Sequence, residues 1–190
     1  TKARRAGARL DADAAETLAF LVGRDLGQLA AEIDKALAYC GPEGRITAEV
    51  VRELAGSGRN ASVFALADAV GAQDGRRALQ LLRELLDRGE EPVRVVALLS
   101  RHFQLLARAR EALRQGVRGR ASLAGALGVP PFFVQGYVDQ ARKWNDAEVW
   151  GALVALQKAD SQLKSQARRQ GAPVVELLLV ALAAGSQPAA

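Results

Sequence analysis

The 190-residue chain has no methionine, one cysteine, one histidine and only 5% aromatic residues. Cys40 has no second thiol with which to form an internal disulfide. Cys40 and His102 together are too few to build a zinc site. The six prolines and scarce aromatics exclude collagen-like, proline-rich and aromatic-girdled barrel architectures. Long apolar runs are also missing. The most apolar stretch, Val174 to Ala184, is too short to cross a bilayer and carries Glu176. The basic opening Thr1 to Arg9 leads into Asp11 and Asp13 rather than an apolar run, so no secretory signal is expected. No G-x-x-x-x-G-K-[ST], G-x-G-x-x-G, H-E-x-x-H, G-x-S-x-G or EF-hand pattern occurs. We therefore expect no catalytic residues, no cofactor, no metal and no enzyme activity of the chain by itself. The want of disulfides fits a reducing cytoplasm. A chain without methionine reads as a piece of a longer protein.

What is present is enough for a packed core: 49% of residues are hydrophobic and 25% charged. The net charge is +5, mostly from arginine, which permits an anionic partner without requiring one. Apolar residues recur at helical spacing almost throughout, and alternating strand patterns are scarce. The sequence predicts an all-α protein. Expected helices run from Lys2 to Ala8, from Asp11 or Asp13 to Val22, and from Leu26 to Tyr39 with Leu26, Leu29, Ala30, Ile33 and Leu37 inward. Thr47 caps the next, with Val50, Val51 and Leu54 inward. Others cover Val63 to Val70, Asp74 to Leu86, Pro92 to Arg114, Ala121 to Leu127, Pro131 to Lys143, Asn145 to Ala167, and Val174 to Ala183 opened by Pro173.

Between two of these patterns lies Ala55-Gly56-Ser57-Gly58-Arg59-Asn60, the most linker-like stretch of the chain. It divides the sequence into a domain at 1–55, a linker at 56–61 with Gly56 and Gly58 as a hinge, and a domain at 62–190.

Cys40 reads as a packed thiol and His102 as a structural or solvated imidazole. Glu90 and Glu91 read as charge favoured at a helix start. Two features carry functional readings. Residues 121–143 have helix-turn-helix spacing, with Gly128 in the turn and Val134 on the buried face. A DNA-binding regulator would read bases there through Gln135, Arg142 and Lys143. The N-terminal end of its second helix, however, holds Pro131, Phe132 and Phe133 instead of polar side chains. The second feature is the cationic set Lys164, Arg168 and Arg169 around the turn before Pro173. It reads as charge favoured at a helix C-terminus or as a phosphate contact.

Leu21-Val22-Gly23-Arg24-Asp25-Leu26 followed by Glu32, Ile33 and Lys35 resembles the lid domain of the delta subunit of the bacterial DNA polymerase III clamp loader. Ile46 to Val51, Val63 to Val70, Gly89-Glu90-Glu91-Pro92, Leu127-Gly128-Val129-Pro130-Pro131-Phe132 and Asp160 with Leu163-Lys164 continue the resemblance in order. It covers nearly the whole chain. It implies a small helical lid domain followed by a helical-bundle collar, with the family's AAA+-like N-terminal domain absent. It implies a non-catalytic part of the pentameric loader that places a sliding clamp on primed DNA. Implied partners are the ATPase and delta-prime subunits through the collar, the sliding clamp through the absent domain, and primer–template DNA near Lys164, Arg168 and Arg169. No membrane partner is implied. A delta subunit does not hydrolyse ATP, and Arg24 is assigned no sensor role.

Overall fold

The computed structural model describes residues 2–23, 25–41, 43–56, 59–165 and 171–184. Eleven α-helices and two short strands occur among them, and the chain divides into two compact units, Thr1–Ser62 and Val63–Ala190.

The first unit holds α1 (Lys2–Arg5), β1 (Arg9–Leu10), α2 (Ala12–Val22), α3 (Leu26–Cys40), β2 (Arg45–Ile46) and α4 (Ala48–Gly56). The strands pair in parallel, Arg9 opposite Arg45 and Leu10 opposite Ile46. Two residues per strand are too few to show a period of two, so the sequence carries no strand signal here. The pairing places Asp11 beside Arg45, whose Nε donates to both carboxylate oxygens at 2.8 and 3.0 Å. Asp11 thus holds the strand pair as well as the start of α2, where its side chain makes no cap bond. Asp25 does cap α3, accepting from the Gln28 amide at 2.9 Å. The core is Ala3, Ala14, Leu18, Ala36, Ile46 and Val51, backed by Leu29, Ile33, Leu37 and Leu54.

Leu26 does not join that core. It is 82% exposed. The inward stripe of α3 is Leu29, Ile33, Ala36, Leu37 and Cys40, with helical spacing from the second turn on. Leu26 sits at the first helical position, before that stripe begins. Helix also occupies most of the stretch read as linker. α4 continues through Gly56, and α5 (Arg59–Gly71) starts at Arg59. A glycine at the last position of a helix costs little, and the apolar pattern resumes at once in α5. Gly58 lies outside the described residues.

The second unit continues from α5 with α6 (Gly75–Asp87), α7 (Pro92–Arg114), α8 (Arg120–Leu127), a 3-10 turn (Pro131–Phe133), α9 (Val134–Ala141), α10 (Asp146–Ser165) and α11 (Gly171–Ala184). The long α7 is central. It packs on α8, α9, α10 and α11, and α11 also packs on α6. Val95, Val96, Leu99, Phe103 and Leu106 of α7 are completely buried. They meet the stripe Val149, Ala152, Leu156 and Ala159 of α10 and the stripe Val175, Leu178, Leu179 and Leu182 of α11.

Caps fix the boundaries. Asp74 accepts from the Arg77 amide at 3.0 Å. Asn145 and Glu148 form a reciprocal box at the start of α10, with bonds of 2.9 and 2.7 Å. Gly128 closes α8 in the left-handed conformation, φ 69°. The last helix begins two residues before Pro173, at Gly171. An added Cβ there would lie 2.8 Å from Pro92 Cγ, so only glycine lets α11 start against α7.

Gly71 makes a tighter approach still. A Cβ on it would lie 1.9 Å from Gln140 Oε1 and 2.6 Å from His102 Nε2. Gly125, inside α8, faces open space. Gly71→Ala is therefore expected to cost about 2–4 kcal/mol through forced displacement of buried polar groups. Gly125→Ala is expected to gain about 0.5–1 kcal/mol from helix propensity. Urea denaturation of both variants checks the pair, and equal effects would contradict the packing described.

Candidate functional site

Lys164 occupies the last turn of α10, where the helix dipole favours a cation. Its ammonium lies 2.6 Å from Asp160 Oδ2, one turn earlier. The lysine side chain is 64% exposed. An exposed pair of this spacing is worth only about 0.3–0.5 kcal/mol, so Asp160 orients Lys164 without removing it from reach of an anion. Arg168 and Arg169 lie outside the described residues. Of the three cations only Lys164 is among the described residues.

Residues 120–141 have the outline of a helix-turn-helix pair but lack its reading face. Val134, Tyr137, Val138, Gln140 and Ala141 of α9 are buried. Gln135 donates to Asp139 at 2.8 Å, and Arg142 lies 3.8 Å from the same carboxylate. Lys143 donates to the Ala72 carbonyl at 3.1 Å. Gln135 and Lys143 are thus engaged within the chain, Arg142 is held only loosely, and α9 serves as a packing helix.

Its most consequential side chain is one the sequence did not single out. Gln140 is buried and bridges two elements. His102 Nε2 lies 2.7 Å from its Oε1, and its Nε2 donates to Asp68 Oδ1 at 3.1 Å. The imidazole therefore carries its proton on Nε2 and donates to the amide oxygen. Beside it, Trp144 donates its indole N–H to the Gly71 carbonyl at 2.8 Å and sets its ring edge-on to Phe103 at 4.9 Å. Arg110 caps the end of α9 through the carbonyls of Ala141 and Trp144 and pairs with Asp146 at 2.6 Å. α5, α7, α9 and the start of α10 are pinned by this polar cluster. Burial pushes the His102 pKa down, against opposing pulls from Asp68 and the Gln140 bond. Burial likewise pushes Tyr137 up. Neutral His102 is a structural donor to the Gln140 amide oxygen.

His102 and Gln140 lie 38 residues apart, and no local pattern links them. Glu90, read as charge favoured at a helix start, lies just before α7; its carboxyl is 3% exposed and pairs with Arg94 at 3.2 Å. The i, i+4 spacing of Glu90 and Arg94 is the sequence signal for that pair. Among the described residues no group of three or more His, Cys, Asp or Glu could hold a metal ion, and no helix is long and apolar enough to cross a membrane.

The geometry is that of an all-helical protein with a small helical unit and a larger bundle, its polar chemistry spent on internal clasps. The chain belongs to the DNA polymerase III delta subunit family: residues 60–182 match the model of the DNA polymerase III delta subunit, C-terminal domain. It is 29% identical over 170 residues to DNA polymerase III subunit delta of Bacillus subtilis (strain 168), covering 90% of this chain and 48% of that protein. It is 30% identical over 100 residues to the probable DNA polymerase III subunit delta of Aquifex aeolicus (strain VF5), covering 52% of this chain and 29% of that one. Among solved structures, the Bacillus subtilis DNA clamp loader delta protein superposes with a TM-score of 0.62 at 28% identity, over 96% of this chain and 53% of that one. The chain thus spans about half or less of the length of the relatives it matches.

The His102 environment predicts a pH dependence. The unfolded imidazole takes up a proton near pH 6.5, while the folded one resists it. Stability from this group is present above that pH and is lost as pH falls through about 6.5 toward 5. In His102→Gln, which keeps a donor for Gln140, that part of the slope should disappear. Urea midpoints measured from pH 7.5 to 5 check it; an unchanged slope would exclude His102 as its source.

Proposed function

We propose that this chain is a non-catalytic part of a replicative clamp loader. It supports assembly of the pentameric loader that places a sliding clamp on primed DNA. The observation that carries the reading is the family match over residues 60–182, joined by the structural likeness to a clamp loader delta protein. On this reading the first unit is a lid domain and the second a collar domain. The collar meets the ATPase and delta-prime subunits. The sliding clamp is gripped by a domain outside this chain. The protein works in the cytoplasm and needs no cofactor of its own.

Helical collars suit this task because buried stripes such as those of α7, α10 and α11 make a stiff body. Stiffness lets neighbouring subunits be held in fixed order while nucleotide-driven motion occurs elsewhere. Gly56 and Gly58 serve as the hinge between lid and collar. Lys164, with Arg168 and Arg169, contacts phosphates of primer–template DNA without reading bases.

The chain mixed with the ATPase and delta-prime subunits of the same loader should co-elute in size-exclusion chromatography with light scattering, as a defined complex holding one copy of this chain. Absence of any complex, both for this chain and for the full-length delta subunit, would sink the assembly reading. Within that full-length loader, Gly56→Pro with Gly58→Pro should slow clamp loading several-fold without dissociating the complex. Unchanged loading would remove the hinge. Reversal of Lys164, Arg168 and Arg169 to glutamate should weaken primer–template binding of the complex roughly tenfold at low salt. Equal affinity would show that this loop does not touch DNA.

A further inference from the structure

The turn between α7 and α8, together with α9, encloses a groove of about 500 Å³ with no acidic side chain on its wall. Arg118, Arg120 and Arg142 line it. Among the described residues, neither Arg118 nor Arg120 meets an acidic partner. Arg142 is only loosely held, 3.8 Å from Asp139. The contrast with their neighbours is sharp. Arg110 is committed to Asp146 at 2.6 Å, and Arg114 to Glu111 at 2.6 Å. At the groove edge Gly119 precedes α8 without a side-chain cap, which adds the partial positive charge of the first α8 amides to that of the guanidinium groups.

A second groove of about 550 Å³ adjoins the first, sharing Leu113 and Arg142. Its wall includes Trp150, which is 70% exposed, together with Glu111 and Asp146, each paired with an arginine of the same wall. The other tryptophan, Trp144, is 3% exposed and hydrogen-bonded. Trp150 therefore presents a large flat apolar face to solvent in the groove that Arg142 joins to the one lined by Arg118 and Arg120. Guanidinium groups match phosphate oxygens, and an exposed indole matches the face of an unpaired base. A single strand of nucleic acid offers both in one chain. A free polyphosphate offers only the first, and duplex DNA keeps its base faces stacked.

We propose that this pair of grooves binds single-stranded nucleic acid, with phosphates on Arg118, Arg120 and Arg142 and a base stacked on Trp150. The site shares no residue with the set Lys164, Arg168 and Arg169, and it needs neither the assembly reading nor any partner subunit.

The test uses the 190-residue chain alone, with fluorescein-labelled dT15 read by anisotropy and by tryptophan emission. Wild type should bind at low salt and lose emission as Trp150 is covered. Trp150→Ala should abolish that quench while the buried Trp144 still emits. Arg118→Glu with Arg120→Glu should weaken binding at least tenfold and lower the log–log salt slope by about 1.4, the value for two lost phosphate contacts on a single strand. Circular dichroism melting confirms that these surface variants fold, and Arg118→Gln with Arg120→Gln should give a smaller loss of the same kind. Reversal of Lys164, Arg168 and Arg169 should leave the Trp150 quench in place. The proposal is overturned if wild type does not bind dT15, if the Arg118 and Arg120 reversal leaves affinity unchanged, or if pyrophosphate binds these arginines while dT15 gives no Trp150 quench. Failure of co-elution with loader subunits bears on the assembly reading only, because this test contains none of them.

Discussion

The larger unit depends on how closely the end of α5 approaches α7 and α9 at Gly71. The absence of a side chain there leaves room for the Gln140 amide and the His102 ring, which occupy the space a Cβ would take. Because those groups are buried, each must be satisfied, and each is: His102 by Gln140, Gln140 by Asp68, Trp144 by the Gly71 carbonyl. Apolar stripes give α7, α10 and α11 a reason to pack but leave their register loose. The polar cluster selects one register, because a shifted helix would strand a buried donor or acceptor at about 1–3 kcal/mol.

The same economy governs the charges. Several arginines are paired inside the chain. Arg45 ties Asp11 across the strand pair, Arg94 neutralises the buried Glu90, and Arg110 holds the end of α9 to the start of α10. Such pairs cancel one cation against one anion and leave the net charge of +5 unchanged; they decide where the excess lies. At the α7–α8 turn, Arg118 and Arg120 have no acidic partner among the described residues.

Membership of the delta family and the fold explain each other. A protein whose polar residues are spent on holding helices in register is suited to holding other things in place. The exposed features then fall on the surface of the second unit, at the end of α10 and along the α7–α8–α9 edge, where they do not disturb the packing beneath.

Helical periodicity, capping residues and the Gly-Pro punctuation made most helices legible from the sequence, since these are local effects acting within one or two turns. The ordered series of motifs from Leu21 to Lys164 carried the family. His102, read as structural or solvated, is buried and bonded to Gln140. Leu26 misled because periodicity says which positions share a face but not where burial begins. The strand pair was too short to leave a pattern. Only the tertiary structure decided that Gln140 completes a His102–Asp68 bridge, that Gly71 must be glycine, and that Arg118 and Arg142 share a groove beside Trp150. Those facts join residues many turns apart, and contact between distant segments is set by packing of the whole unit, which no local spacing encodes.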